Sequence, residues 1–112
     1  MQIQLQAFAK RGRAGSPTSL RRLVTQDLDR GKHDLLYVEE FKDPQRSPGW
    51  AKVKGKDVPG AINLEWDGGQ RMLTARAIAK MGNRPHQLMA IFVAYLVERH
   101  GRRLHSVNVQ LT

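Results

Sequence analysis

From Gln2 to Ala7 the chain alternates: Ile3, Leu5 and Ala7 fall on one side, Gln2, Gln4 and Gln6 on the other. A period of two marks a strand with one buried face, so Gln2 to Ala9 is predicted as the first strand. The next periodicity is helical. Leu20, Leu23, Val24 and Leu28 recur at three- and four-residue spacing, the stripe a helix lays against a core. Ser16 and Pro17 stand where a cap and a first helical position belong, and Gly31 can end the helix in a left-handed conformation. A second strand is predicted over Leu35 to Phe41.

Between Asp43 and Pro59 the pattern breaks. Pro44, Pro48 and Pro59, with Gly49 and Gly55, interrupt any period, so a long irregular loop is expected at 43–59, holding at most a short strand over Ala51 to Val53. Alternation resumes with Ile62, Leu64 and Trp66, followed by Gly68-Gly69, which can take the positive φ of a tight hairpin turn. A two-residue turn there sets Trp66 opposite Arg71, Leu64 opposite Leu73 and Ile62 opposite Ala75, which keeps the apolar residues on one face. Gly82-Asn83 reads as a turn, and Pro85 opens a helix from about Arg84 to His100 that Gly101 closes. Val107, Val109 and Leu111 alternate with Ser106, Asn108 and Gln110 in a last strand. The two terminal strands each have one apolar face and are expected to pair.

This order, β-α-β-(β)-β-β-α-β, predicts an α+β fold: a single antiparallel or mixed β-sheet of 5–6 strands with two helices packed on one face. Residues 1–112 read as one basic domain with a flexible, Gly-rich loop at 10–16. A chain of 112 residues buries roughly 65% of its unfolded surface, enough for a core without staples. The absence of cysteine excludes disulfides, thiolate zinc sites and a cysteine nucleophile. The longest apolar run, Leu88 to Val97, is too short for a bilayer, and the alternating N-terminus does not read as a signal peptide. A cytoplasmic, non-membrane protein is expected.

Charge changes the picture most. Nineteen Lys and Arg against ten Asp and Glu give a net +9, a field that attracts phosphate backbones. The candidate contacts are the arm Lys10, Arg11 and Arg13, the row Lys52, Lys54 and Lys56 beside Trp50, and Arg76 with Lys80 on the presumed solvent face of the hairpin. Lysines could follow phosphates while Trp50 stacks a base. The arm has no structural use for three cations, whereas Arg99, Arg102 and Arg103 suit a helix C-terminus and its dipole. The predicted helix 84–100 is apolar around much of its circumference, and Met89, Val93 and Val97 form a second stripe suited to a homodimer.

Catalytic chemistry finds no foothold. His86 and His100 are fourteen residues apart on one helix, about 21 Å along its axis, and no HExxH or phosphate-binding glycine motif is present. No metal, cofactor, small-molecule substrate or catalytic residue is expected. The expected function is a non-enzymatic nucleic-acid-binding module that contacts mainly phosphate backbone. The alternative is a homodimeric interaction or assembly subunit that meets an acidic protein.

Overall fold

Strands with one apolar face need a layer to cover it, and six of them build the protein into a single sheet backed by helices. In the computed structural model, residues 2–11, 19–42, 49–78, 80 and 82–112 are described. The elements are β1 (Gln2–Ala9), α1 (Leu20–Asp27), β2 (Leu36–Glu40), β3 (Gly49–Gly55), β4 (Ala61–Asp67), β5 (Met72–Ile78), α2 (Pro85–His100), a single 3-10 turn (Gly101–Arg103) and β6 (Leu104–Leu111). The strands lie in the order β2-β3-β4-β5-β1-β6, and every pairing is antiparallel. The fold is α+β, and the terminal strands β1 and β6 are neighbours, as their shared alternation predicts. None of the described helices is long and apolar enough to cross a membrane.

The registers sort the residues into two faces. Ile3, Leu5 and Ala7 pair with Ala77, Ala75 and Leu73, and Leu64 pairs with Ala75 on one side and Ala51 on the other. These positions are buried beneath Leu88, Phe92 and Leu96 of α2 and Leu20 and Val24 of α1. The α2 helix lies over β4, β5 and β1. The α1 helix sits toward the other edge, where Trp50 Nε1 on β3 donates to Thr25 Oγ1 (3.1 Å) and Val38 N on β2 donates to Leu28 O (2.8 Å). Among the described residues, no helix lies over the opposite face of the sheet.

Two helix boundaries depart from the sequence reading, and a third lies outside the described residues. The expected helix start at Ser16 and Pro17 lies outside the described residues; the described helix begins at Leu20, and Ser19 Oγ accepts from Arg22 N. It ends at Asp27 rather than Gly31, because Leu28 is buried and its carbonyl is taken by β2. Gly31 still adopts a positive φ of 87°, in the turn that follows. Gly101 does not close α2 in a left-handed conformation: at φ −53° it continues into the 3-10 turn.

The predicted irregular loop at 43–59 contains a full strand instead, β3, paired on both sides. Its glycines sit at its two ends, and a register shift between Gly49 and Ala51 leaves Trp50 as an extra residue. Such a bulge re-aims a side chain, which explains how the consecutive residues Trp50 and Ala51 are both buried. Gly55 is required by space. A Cβ there would stand 2.9 Å from the Val58 carbonyl oxygen and 3.0 Å from Leu88 Cδ1. Gly55→Ala is therefore expected to lower stability by about 1–3 kcal/mol, in the range of overpacking, measurable by denaturant titration; an unchanged midpoint would show that the 55–58 turn can open at no cost.

The β4–β5 hairpin keeps its faces but shifts register by two. Trp66 lies opposite Leu73, Leu64 opposite Ala75 and Glu65 opposite Thr74, so the predicted partners Arg71, Leu73 and Met72 are each two positions off. The turn spans Gly68 to Arg71. Asp67 Oδ1 accepts from Gln70 N (3.1 Å), and Arg71, not a glycine, takes the positive φ of 53°. An aspartate side chain that closes its own turn outcompetes the tighter Gly-Gly solution.

Candidate functional site

The helix-free face of the sheet gathers several of the sequence-predicted cations. Register places Glu39, Lys52, Asn63, Arg76, Gln4 and Gln110 in one row across all six strands. Lys54 pairs with Tyr37 beside it. These cations are already engaged. Lys52 and Lys54 both approach the Glu39 carboxylate, at 3.9 and 3.5 Å. Arg76 pairs with Glu65 and donates to Gln4 Oε1. Arg30 also reaches Glu39, at 4.0 Å, and lies over the Tyr37 ring; with Asp67, four cations meet three carboxylates here, so most of the positive charge of this face is already answered.

The stacking role expected of Trp50 does not survive. Its ring is 5% exposed, held by Thr25 and overlain by the Arg21 guanidinium at 5.4 Å, so no base can reach its face. Lys56 lies beyond the end of β3, and its ammonium is bonded to the His33 carbonyl. Lys80 is exposed, beyond the end of β5. Arg13 lies outside the described residues. Of the expected dimer stripe, Met89 is buried in the core at 3% exposure, Val93 is partly buried, and Val97 is exposed. Met89 faces the sheet because α2 covers three strands, and a helix that does so turns more than one stripe inward.

A different set of cations converges without carboxylate partners. At one end of the sheet β1 runs out, β5 begins and the 3-10 turn leads into β6. Lys10 N donates to Arg103 O (2.7 Å), Ala9 N donates to Arg71 O (2.9 Å), and Arg71 Nε donates to Lys10 O (3.1 Å). These bonds draw three chain segments together and bring Lys10, Arg11, Arg71, Arg102 and Arg103 to one place. Lys10, Arg11, Arg102 and Arg103 are exposed and Arg71 half-buried. Among the described residues none of the five makes an ion pair. Lys10 and Arg11 belong to the predicted arm. Arg71 and Arg103 were invisible as partners because only strand pairing places residues 10, 71 and 103 together.

Next to this end lies a buried polar cluster that sequence reading did not find. Asp27, at the end of α1, receives Tyr95 OH (2.7 Å) and His100 Nε2 (2.6 Å) on the same oxygen, Oδ2, while Arg99 approaches Oδ1 at 3.7 Å. On its other side His100 Nδ1 faces Arg103 Nη1 at 3.2 Å. Arginine can only donate, so Nδ1 is the acceptor and Nε2 carries the proton given to Asp27. The imidazole is then neutral. Burial holds its pKa below the ordinary histidine value against the opposing pull of Asp27, with Arg103 and Arg99 adding to the lowering. Burial and the bond to Asp27 push the Tyr95 hydroxyl far above its usual range, so it stays protonated.

With both His100 nitrogens committed and the ring 2% exposed, the cluster works as a tie between α1 and α2. A shallow depression of about 750 Å³ beside it is lined by Lys32, His33, Glu98 and Arg99 as well as Asp27 and Tyr95. Among the described residues no set of His, Asp or Glu converges as metal ligands would. A histidine whose folded pKa is depressed is protonated more readily in the unfolded chain. Stability from His100 is thus complete above about pH 6.5 and declines as pH falls below that toward the lower folded pKa. Thermal melts from pH 8 to pH 5 are expected to fall over this window, and the His100→Gln variant is expected to show a shallower fall; an equal slope in both would assign the effect to other groups.

No protein-family model matches the chain, and neither the curated proteins nor the solved structures include a significant match to it.

Proposed function

We propose that the chain is a non-enzymatic nucleic-acid-binding module that holds phosphate backbone at the cationic end of its sheet, through Lys10, Arg11, Arg71, Arg102 and Arg103. The observation that carries this reading is the convergence of five cations at one end of the sheet, none of which makes an ion pair among the described residues. Arginine forks and a flanking lysine suit phosphate oxygens. Backbone phosphates are a sequence-independent target, so discrimination between base sequences is expected to be weak. Trp50 has no part in it.

The test is anisotropy of a labelled oligonucleotide, single-stranded and duplex, titrated at several salt concentrations. Five phosphate contacts imply a log–log salt slope of about −3.5 on single strands and about −4.5 on duplex. Between 50 and 200 mM salt the affinity should then fall about 100-fold and about 500-fold respectively. Affinity no better than millimolar at low salt for either form would defeat the proposal. Retention of an acidic protein by the chain after nuclease treatment, together with that failure, would transfer the cationic end to a protein partner.

A further inference from the structure

The two edges of the sheet are built differently. β2 is five residues long and carries Glu39 and Glu40, and short, charged edges resist pairing with other chains. β6 is eight residues long, with no Asp, Glu, Lys, Arg or Pro in Leu104–Leu111. Leu104 is buried and Val107 packs against the core, but further along the same side the strand is open: Val109 is 50% and Leu111 66% exposed. On α2, Val97 is 54% exposed. It lies about 200° round the helix from Tyr95, and Tyr95 is the residue that meets α1. Val97 therefore stands on the flank of α2 away from α1, the side of β1 and β6, and extends the apolar strip from the strand onto the helix.

Which backbone groups β6 leaves free follows from its pairing. Thr112 and Gln2 exchange both of their backbone hydrogen bonds. Antiparallel ladders alternate bonded and non-bonded pairs, so Gln110 and Asn108 also turn their N–H and C=O toward β1, opposite Gln4 and Gln6. Val107, Val109 and Leu111 turn theirs outward. The outward backbone groups and the exposed apolar side chains thus belong to the same residues.

We propose that β6 pairs antiparallel with β6 of a second copy of this chain, forming a two-fold dimer with one continuous twelve-stranded sheet. A second copy is favoured because the edge carries no Asp, Glu, Lys or Arg to repel its own image, and its outward backbone groups match themselves about a two-fold axis. With Asn108 on the two-fold axis, Val107 pairs with the partner's Val109, and the reverse pair repeats it. The flanking cations Arg102 and Arg103 fall beyond the paired segment, so no like charges oppose one another in the ladder, as they would at the Glu39–Glu40 edge. The apolar strip of each copy, with Val97, is covered at the joint. This arrangement replaces the helix-to-helix dimer expected from Met89, Val93 and Val97. It stands apart from the nucleic-acid reading. If both hold, the dimer carries a cationic end at each extremity of the joined strands, two contacts for one polyanion.

The absence of cysteine gives a clean test. Asn108 sits at a non-bonded pair across the axis, where antiparallel Cα atoms approach to about 4.5 Å, within disulfide range. The Asn108→Cys protein, without nucleic acid, is expected to oxidise readily to a covalent dimer, while Lys42→Cys, exposed and remote from β6, does not. In light scattering the wild type should rise with concentration from 12.7 kDa to twice that mass. Val109→Pro removes only an outward N–H, and Val109→Lys adds a charge to the edge; both should remain monomeric with an unchanged circular dichroism spectrum. A wild type that stays monomeric at high micromolar concentration overturns the proposal. So does a dimer that persists in both Val109 variants, or cross-linking as fast through position 42 as through position 108.

Discussion

Asp27→Ala is expected to lower the melting temperature by about 10–15 °C, the largest single-residue effect predicted for this fold. The substitution strips the carboxylate oxygen shared by the Tyr95 hydroxyl and His100 Nε2. Both donors are buried, and neither can turn to water without opening the joint between α1 and α2. A buried donor left unsatisfied costs about 1–3 kcal/mol, so two cost about 2–6 kcal/mol; the lower part of that range is expected, because the Tyr95 oxygen lies 3.2 Å from His100 Nε2 and can accept from it. For a domain of this size each kcal/mol moves the midpoint by about 4 °C. Because both donors meet a single oxygen, Asp27→Asn can keep that oxygen in place. It should therefore lose much less, about 1 kcal/mol, chiefly through weaker bonds to a neutral acceptor. If alanine and asparagine prove equally harmful, charge and not hydrogen bonding holds the joint. If neither shifts the melt, the cluster carries no stability.

The second large effect concerns binding. The double variant Arg11→Glu, Arg102→Glu changes two exposed side chains that make no hydrogen bond or ion pair within the described residues, so the fold should be indifferent to it. On the proposed function it removes two phosphate contacts and adds two repulsions. The salt slope should then become shallower by about two, and low-salt affinity should fall about tenfold or more. The informative control is Lys52→Gln, Arg76→Gln on the helix-free face. Those cations are already paired with Glu39 and Glu65, so their loss should change affinity much less. The opposite ranking, with the face variant crippled and the end variant intact, would move the site to the sheet face.

Periods of two and of 3.6 are properties of short stretches. The sequence by itself therefore determined the element order, the inward faces of β1, β4, β5 and β6 and the presence of two helices. It also made the pairing of the two terminal strands legible, because each is half apolar. Local competition was harder to read. The Gly68-Gly69 pair suggested a tight turn, yet Asp67 closing on Gln70 won, and the register moved by two without exposing a residue. Trp50 looked like a stacking platform because an aromatic among lysines reads the same whether the ring points in or out. The bulge at its own position decided that it points in, and strand pairing tied Lys52 and Lys54 to Glu39.

Only the tertiary structure decided where charge goes unanswered. Residues 10, 71 and 103 meet because β1 pairs with β5 on one side and β6 on the other, and no local pattern carries that information. The same holds for Asp27, Tyr95 and His100, drawn together where two helices close on one sheet. Nor does alternation say which strand is left at the edge. The apolar face of β6 has the same pattern as that of β1, but β1 lies between two strands under a helix, while β6 lies outermost and leaves Val109 and Leu111 exposed. Burial is a property of neighbours, and the neighbours of an edge strand are fixed by the whole topology.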